Sequence, residues 1–466
     1  TFQSIEDALT ELNAEDRGRY YLCICPECQQ NEAFIYKNNP NFVQCNRQNK
    51  CGERFKIEYR DKTNVLSFKQ RKIEQSYPEL TEEQVKALDW LNRALKHIQK
   101  YGVSKVLQEG YRGLSEETTK DFIVDLNSKE MVSFMFRKIK PLLNKDYSKN
   151  NFMTKRNIVM PIYSEDESVD RILLRSTIDK NVDPKEIELI TNPSKETRDF
   201  FISIPDDAET IVFTEALLDG LSFREIDKNV GFVSLSGSNK TRNISKFIKG
   251  NKHLFQDKNL VLAMDDDLAG WKANLSLATT LDEVGLGYKV FSYPRGITDP
   301  NDYLKKSGVF FKSQFDRMKK SFKLSNDILI DLRKNTEVLV VCDSKLDALS
   351  IKSVNADVGV IALENDDNIS NNISNFLINN EEYMEGKKFV LALSNSAMEE
   401  REKFKKTLDI LKLKNHNLYY RDSVFNYFQN DRKGLERKLG DIIAFLKKDE
   451  SKKINRSFSN YVGVER

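Results

Sequence analysis

Short apolar runs recur along the middle of the chain, separated by segments with the periodicity of a helix. The runs TIVFT, GFVSL and NLVLAM come directly before Glu215, Ser236 and Asp265. Such runs are typical of strands that are buried on both faces. Strands of this kind that alternate with helices predict a doubly wound parallel sheet, with its site at the carboxyl ends of the strands.

A second set of runs repeats this pattern towards the C-terminus. TEVLVVCDSKLDALSI aligns with ETIVFTEALLDGLSF, which places Asp343 against Glu215 and Asp347 against Asp219. KKFVLALSNSAME likewise aligns with KNLVLAMDDDLAG. The repeat predicts a second α/β unit of the same fold, and the alternative is that two unrelated α/β units only look alike. Cys342, within VLVVC, is predicted to be a small core residue.

The two copies differ after the third strand. The aspartates of the first copy, Asp265, Asp266 and Asp267, fall against Ser394, Asn395 and Ser396 of the second. Loss of these carboxylates removes the charge that would hold magnesium. We therefore predict that the second unit keeps the fold and lacks catalysis, with a role in scaffolding, subunit contact or nucleic-acid binding.

Two other patterns lie nearer the ends of the chain. AFIYKNNPNFVQC alternates apolar and polar residues around Asn38-Asn39-Pro40, which predicts a hairpin. RKGLERKLGDIIAFLKKDE has helical periodicity and precedes a polar tail. Its apolar face is made of Leu435, Leu439, Ile442, Ile443 and Leu446.

Length and composition indicate a modular, soluble protein. A chain of 466 residues is too long for one ordinary core. Hydrophobic residues make up 39% and charged residues 31%, and no apolar run approaches the roughly 20 residues that span a bilayer. The first residues, TFQSIEDALT, lack the pattern of a secretory signal, so we expect a cytoplasmic protein and no membrane partner.

A net charge of +3 means that any nucleic-acid surface must come from local segregation of charge. One basic stretch stands out between residues 137 and 156, with a single acidic residue, Asp146. It is either a solvated loop or a nucleic-acid contact. Its basic residues are Arg137, Lys138, Lys140, Lys145, Lys149, Lys155 and Arg156.

Five of the six cysteines lie between Cys23 and Cys51, which is the distribution of a metal site rather than of a disulfide framework. Cys25, Cys28, Cys45 and Cys51 have the spacing C-x2-C-x16-C-x5-C, which suits tetrahedral structural zinc. We leave Cys23 as a spare or core thiol.

The ribbon that these cysteines predict either stabilises its own domain or also contacts a template by stacking and phosphate pairing. The residues that would make such contacts are Phe34, Tyr36, Arg47, Lys50 and Arg54.

Acidic residues follow the predicted parallel strands. Glu215 ends one strand, and Asp219 lies one helical turn later. Asp265 and Asp267 end another strand and point to the same side in an extended segment, while Asp266 points away. Hard oxygen ligands of this kind hold Mg2+ together with substrate phosphates.

This order, a Glu after the first strand and a D-x-D followed by Ala-Gly after the third, resembles the Toprim fold. Further stretches resemble the DnaG-type bacterial and phage DNA primases. Together with the ribbon they extend from Cys25 to Leu304 in the order of that family. These stretches are YRGLSEETTKDFIV, RNIVMPIY, TNPSKET and TDPNDYL.

The resemblance implies catalytic roles for Glu215, Asp265 and Asp267. It implies a site for Mg2+ or Mn2+ formed by Glu215, Asp219, Asp265, Asp267 and Asp299. It also implies a template and nucleotide path lined by Lys155, Arg156 and Arg175, with Arg137 and Lys138 as further nucleic-acid contacts. The chain departs from the family at Ala216, Glu188-Leu189 and Asn301, where Gly, Lys-Tyr and often Asp are usual.

The implied function is a DNA primase that makes short RNA primers on single-stranded DNA from NTPs. No P-loop motif occurs, so a replicative helicase would be a separate partner. The alternatives are a non-catalytic replication or regulatory protein and a Toprim nuclease. The divergence would suit a phage or mobile element.

We expect an α/β protein with an N-terminal zinc ribbon, a primase-type α+β core with a Toprim sheet, and the second Toprim-like domain. The predicted segments are 1–75 (zinc ribbon), 76–205 (template-binding part of the core), 206–325 (Toprim catalytic domain), 326–450 (degenerate Toprim-like domain) and 451–466 (polar tail).

Overall fold

The computed structural model describes most of the chain, in two compact units, Thr1–Ser76 and Tyr77–Arg466. No helix in the described part has the length and apolar character needed to cross a bilayer. The described residues are 5–37, 39–46, 51, 53–57, 77–143, 155–237, 240–322, 329–331, 336–362, 377, 384, 386–393, 398–418 and 423–461.

The first unit is a small antiparallel sheet in the order β1-β2-β3-β4-β5. The predicted hairpin is β3–β4, in which Tyr36 pairs with Asn39, so Asn39 and Pro40 already belong to a strand. Cys23, Cys25 and Cys45 lie in its core with Ile35 and Val43. The elements are α1 (Ile5–Glu11), β1 (Glu15–Asp16), β2 (Tyr20–Cys23), β3 (Ala33–Tyr36), β4 (Asn39–Cys45) and β5 (Arg54–Lys56).

The second unit begins with helices packed on the antiparallel sheet β6-β7-β8-β9. A capping box of Thr81 and Gln84 starts its first long helix, which buries Leu88, Leu91 and Leu95. The elements are α2 (Glu82–Tyr101), α3 (Lys105–Gln108), α4 (Glu116–Thr119), β6 (Val124–Asp125), α5 (Lys129–Ile139), a 3-10 turn (Lys140–Leu142), β7 (Ile158–Tyr163), β8 (Val169–Arg175) and β9 (Ile187–Ile190).

Next comes the predicted α/β sheet, in the order β10-β12-β11-β13-β14. β10 pairs antiparallel with β12 and lies before the predicted boundary at residue 206, whereas the other pairs are parallel. The elements are β10 (Phe200–Ser203), β11 (Thr210–Thr214), α6 (Leu217–Ile226), β12 (Gly231–Leu235), α7 (Thr241–Gly250), a 3-10 turn (Lys252–Leu254), β13 (Asn259–Leu262), α8 (Leu268–Glu283), β14 (Tyr288–Val290) and α9 (Pro300–Ser321).

The predicted repeat is present as a second sheet with the same strand order, β15-β17-β16-β18-β19. Again the first strand is antiparallel and the others are parallel. Ser394, Asn395 and Ser396 lie outside the described residues. The elements are β15 (Leu329–Asp331), β16 (Val338–Cys342), α10 (Lys345–Val354), β17 (Gly359–Ala362), β18 (Lys388–Ala392), α11 (Met398–Ile410), β19 (Lys414–Asn417) and α12 (Val424–Tyr461).

The repeat extends to individual contacts. Asp219 accepts a hydrogen bond from the backbone of Asn301 at the start of α9, and Asp347 accepts one from Phe425 at the start of α12. The helices α9 and α12 also each contain one residue with non-helical dihedral angles, Ser307 and Asp431. The two units therefore share an arrangement of helices as well as a strand order.

Side-chain volumes differ between the copies in a compensating way. A Cβ on Gly220 would lie 2.4 Å from Ser234 Oγ and 2.9 Å from the Phe232 ring. The corresponding helix position in the second α/β unit is Ala348. It faces a strand that carries the smaller residues Val360 and Ala362. The two α/β units contribute residues to one hydrophobic cluster, and α8 packs against α10.

Candidate metal and active site

The four predicted cysteine ligands converge in the first unit. The ligand atoms of Cys25, Cys28, Cys45 and Cys51 all lie within 4.8 Å of one another. The Sγ atoms are 3.7 Å apart for Cys25 and Cys51, and 3.8 Å apart for Cys28 and Cys45. Four Zn–S bonds of about 2.3 Å in a tetrahedron put the sulfur atoms about 3.8 Å apart, so the cluster fits structural zinc.

Cys23 is not part of this cluster. Its side chain is buried, and burial raises the pKa of its thiol to about 11. A protonated, buried thiol behaves as a small core residue, as predicted. The proposed template residues Arg47 and Lys50 lie outside the described residues.

The predicted acidic residues gather at one edge of the first α/β sheet. Glu215 follows β11, and Asp219 lies buried in the first turn of α6. Asp265 and Asp267 lie between β13 and α8, and Asp299 precedes α9. Because β11 and β13 are parallel neighbours, their carboxyl ends bring these loops together.

The aspartate loop is longer than predicted, because β13 ends at Leu262 rather than next to Asp265. Asp267 caps α8 by accepting a hydrogen bond of 2.8 Å from Gly270 N. A Cβ on Gly270 would lie 1.9 Å from the carbonyl oxygen of Asp265. Glycine at this position therefore allows the helix to approach the loop closely.

The charges of this cluster oppose one another. Burial, followed by the charges of Asp299 and Glu215, raises the pKa of Asp219 to about 8. Burial, followed by the charges of Asp219 and Glu215, raises the pKa of Asp265 to about 10. Asp265 Oδ1 is buried and has no hydrogen-bond partner among the described residues. A buried carboxylate in such a position is a natural ligand for a divalent cation.

The carboxylates are less tightly grouped than the cysteine ligands. Within the residues that the structure describes, the cysteines are the one group of three or more ligand atoms within 4.8 Å of one another. The acidic set is therefore more open. Mg2+ usually keeps several waters and is bound by one or two carboxylates plus substrate phosphates, so an open set of hard oxygen ligands suits it.

One basic side chain, that of Arg175, lines the same cavity as two of the acidic residues. A cavity of about 230 Å3 is lined by Glu215, Asp265 and Arg175 among others. The Arg175 Nε atom donates to Glu186 at 2.6 Å, and Glu186 lines the same cavity. The predicted nucleotide-path residue Arg175 thus lies beside the predicted metal ligands, held by a residue that sequence reasoning missed.

The other predicted basic contacts lie elsewhere. Arg156 is fully buried and donates to the carbonyl of Pro184, which does not fit the expected position on a template path. Lys155 is half-exposed and pairs with Asp179 at 2.9 Å. Arg137 and Lys138 are exposed at the end of α5 and do not line the acidic cavity.

Glu188, which stands where the resembled family has Lys, forms a network of its own. Its carboxylate pairs with Arg171 at 2.7 Å and also with Lys240. Lys240 donates to Ser236 Oγ at 2.6 Å, next to Gly237, which lines the acidic cavity. The altered residue therefore holds a different lysine near the cavity, and only the three-dimensional arrangement reveals it.

Similarity to known proteins identifies one domain of the chain. Residues 212–304 match the family model described as Toprim-like. This segment is a Toprim-like domain. It contains Glu215, Asp219, Asp265, Asp267 and Asp299, that is, the whole predicted acidic set. No curated protein sequence matches the chain.

The chain is similar to solved structures of DnaG-type primases. The Aquifex aeolicus primase (zinc-binding and RNA polymerase domains) is 16% identical, with a TM-score of 0.38 over 88% of this chain and 95% of that chain. A DnaG catalytic domain bound to single-stranded DNA is 17% identical, with a TM-score of 0.37 over 71% and 96%. The primase fragment of the bacteriophage T7 primase-helicase is 15% identical, with a TM-score of 0.30 over 63% and 98%. At these values the likeness says nothing about activity.

The pKa shifts predict that cation binding releases protons. Because the pKa values of Asp219 and Asp265 are raised to about 8 and about 10, both groups are largely protonated at pH 7 without a cation. Bound carboxylates must be ionised, so Mg2+ or Mn2+ affinity should increase as pH rises towards 8. Isothermal titration at pH 7 in buffers of different ionisation enthalpy should show net proton release. Equal apparent enthalpies in all buffers would contradict the prediction.

The raised pKa values of Asp219 and Asp265 also make the stability of the fold depend on pH. The folded, cation-free chain holds protons that the unfolded chain releases above the ordinary pKa of 3.8. The acidic cluster therefore destabilises the fold increasingly as pH rises from about 4 towards 10. Thermal unfolding across this range, with and without Mg2+, should show that the cation stabilises most at the alkaline end.

Proposed function

We propose that the chain is a DNA primase that synthesises short RNA primers on single-stranded DNA by metal-dependent nucleotidyl transfer. The observation that carries this proposal is the gathering of five acidic residues at the carboxyl edge of a Toprim-like sheet, where two of them, Glu215 and Asp265, line a cavity with Arg175. The zinc-compatible ribbon in the same chain supports it, because a nucleic-acid enzyme can use such a module on its template.

The proposed roles follow from position. Glu215, Asp219, Asp265, Asp267 and Asp299 would hold the cation, and a bound Mg2+ would supply charge neutralisation on the transferring phosphoryl group. Arg175 is kept in place by its ion pair with Glu186, which uses its Nε atom. Its other guanidinium N–H groups would donate to the nucleotide phosphates. Glu215 would accept the proton of the attacking 3′-hydroxyl.

The proposed ligands and partners are a single-stranded DNA template, NTPs and a separate replicative helicase. Lys155 is the remaining exposed candidate for the template path, since Arg156 is buried. The predicted domain divisions also stay part of this proposal, with catalysis assigned to the Toprim-like domain and template contact to the segment before it.

One rival is favoured by specific observations. The burial of Arg156 and the pairing of Glu188 with Lys240 alter template contacts that the resembled primases use, which would suit a non-catalytic nucleic-acid-binding protein. This rival predicts binding of single-stranded DNA without synthesis, and it predicts no role for the acidic cluster.

Primer synthesis on a single-stranded DNA template with labelled NTPs tests the proposal. Short RNA products that require Mg2+ or Mn2+ and single-stranded template would support a primase. Template binding without products would support the non-catalytic rival. Cleavage of labelled template in place of synthesis would support a Toprim nuclease.

A further inference from the structure

The middle aspartate of the D-x-D loop has contacts that the proposed chemistry does not use. The Asp266 backbone N–H donates to the carbonyl of Thr298 at 2.7 Å, so it ties this loop to the one that carries Asp299. The Asp266 side chain accepts a hydrogen bond of 3.0 Å from Trp271 Nε1. Asp266 therefore fixes the segment between two proposed metal ligands from two directions.

Trp271 is in turn held by the second α/β unit. Its side chain is 2% exposed, and the ammonium group of Lys352 lies 4.5 Å from its ring centroid. Lys352 belongs to α10, is fully buried, and pairs with Asp331 at 2.7 Å. A cation in this position over an indole ring is attracted to it, most strongly where water is excluded.

The same helix makes a second contact with the first α/β unit. Lys345 donates to the carbonyl of Tyr288 at 3.1 Å, and its ammonium group lies 4.5 Å from the Tyr288 ring centroid. Tyr288 begins β14, and Trp271 lies in the first turn of α8. Helix α10 therefore contacts two elements of the first α/β unit, α8 and β14.

We propose that Trp271 is a positioning residue for the acidic site, and that the second α/β unit acts on that site through Lys352 and Trp271. The inference rests on the proposed function, because it assumes that Asp265 and Asp267 bind the cation. Asp266 lies between the two proposed ligands, so any rotation of its backbone would move Asp265 and Asp267 relative to each other. The hydrogen bond from Trp271 keeps Asp266 in its present orientation, and Lys352 keeps the indole ring in place.

Mn2+ affinity measured by electron paramagnetic resonance tests this without relying on turnover. Trp271→Phe keeps a ring over which Lys352 can sit and removes the donor to Asp266. We expect the Kd for Mn2+ to increase about three- to tenfold, which is less than the roughly ten- to hundredfold worth of a hydrogen bond to a charged acceptor, because Trp271 acts on the ligands only through Asp266. The matched control is Trp90→Phe, the other tryptophan of the chain, which contacts Phe134 far from the acidic residues in sequence and should leave the Kd unchanged.

Variants of the acceptor separate positioning from general destabilisation. Asp266→Asn keeps an acceptor oxygen and should bind Mn2+ nearly as the wild type does. Asp266→Ala should match Trp271→Phe, and the double variant should bind no more weakly than either single variant, because both changes remove the same contact. Additive losses in the double variant would overturn the positioning role.

The contribution of the second unit is tested at Lys352. Lys352→Met is combined with Asp331→Asn, because removing one partner of a buried ion pair alone is strongly destabilising. In the Trp90→Phe background Trp271 is the sole tryptophan, so its emission should shift in this variant, and the Kd for Mn2+ should increase in the same direction as in Trp271→Phe. An unchanged Kd in a folded Lys352→Met, Asp331→Asn protein would overturn the coupling to the second unit.

Asp265→Asn separates failure of this inference from failure of the proposed function. Unchanged Mn2+ affinity in Asp265→Asn would overturn both, because the cation would not bind at this cluster. Loss of affinity in Asp265→Asn with wild-type affinity in Trp271→Phe would overturn the inference alone. Loss in both, with the Asp266→Asn and Trp90→Phe controls intact, would support it.

Discussion

Glu215→Gln and Asp265→Asn should each lower primer synthesis about a thousandfold while leaving the protein folded. Each change removes one negative charge from the proposed cation site and keeps the size of the side chain. A cation that neutralises a transferring phosphoryl group contributes several kcal/mol to the transition state, and about 4 kcal/mol corresponds to a thousandfold in rate. The measurement is the rate of primer synthesis at saturating NTP, together with thermal unfolding.

The repeat supplies a matched control for this prediction. Asp343 of the second α/β unit corresponds to Glu215 of the first α/β unit, because each directly follows the equivalent strand. Asp343→Asn should therefore leave synthesis within about twofold of the wild type, because Asp343 is not part of the acidic cluster around Asp265. Equal losses in Glu215→Gln and Asp343→Asn would mean that the two sites do not differ as proposed.

The stability of these variants should also differ from that of ordinary core changes. Burial and neighbouring carboxylates raise the pKa of Asp265 to about 10, so without a cation this side chain must take up a proton when the chain folds at pH 7. Asn is neutral at every pH and removes that cost. Thermal unfolding without Mg2+ should therefore show an unchanged or higher Tm, as expected where function and stability conflict.

The parts of the site that could be predicted from sequence depend on local spacing or on topology. The four cysteines could be assigned because two close pairs on a hairpin leave few alternatives for a tetrahedral site. Glu215, Asp219, Asp265 and Asp267 could be grouped because the carboxyl ends of parallel strands meet at one edge, whereas Asp299 was added by the family resemblance. Both arguments need only the order of elements, and small errors in strand ends do not disturb them.

The parts that could not be predicted depend on contacts between distant segments. Arg156 was expected on the template path, but its strand-entry position is covered by the chain near Pro184, which buries the guanidinium group. The Glu188 pairs with Arg171 and Lys240 join residues from three elements. The Trp271–Asp266 contact is local, but its meaning depends on Lys352 of the second unit. No spacing rule in a single sequence reports such contacts.

The two α/β units show how a site can lose its chemistry and keep its framework. In both, an aspartate on the first helix accepts a hydrogen bond from the start of the last helix, at Asn301 or Phe425. Burial raises the pKa of Asp347 to about 6, whereas Asp219, with more carboxylates around it, has a pKa of about 8. The shared aspartate therefore has a structural role in each unit, and the additional charges of the first unit are what create a demand for a cation.

Loss of one cysteine ligand should unfold residues 1–76, which carry the zinc ribbon, and leave residues 77–466 folded. The core of residues 1–76 is small, and all four candidate ligands contribute to it, with Cys25 and Cys45 buried in it and Cys28 and Cys51 packed against it. Structural zinc contributes roughly 10–16 kcal/mol of binding free energy to domains of this kind, more than so short a sheet can replace. Cys28→Ser should therefore lower bound zinc from one ion per chain to nearly none, and limited proteolysis should remove the first unit.

Cys23→Ala is the matched control for this experiment, because Cys23 is buried beside the cluster but is not a member of it. This variant should keep its zinc and resist proteolysis nearly as the wild type does. Removal of zinc from the wild-type protein with a chelator should make residues 1–76 sensitive to proteolysis, as Cys28→Ser does. The unfolding transition of residues 77–466 should stay unchanged. Zinc retained in Cys28→Ser, or lost in Cys23→Ala, would mean that the ligand set differs from the four cysteines that the spacing and the sulfur distances indicate.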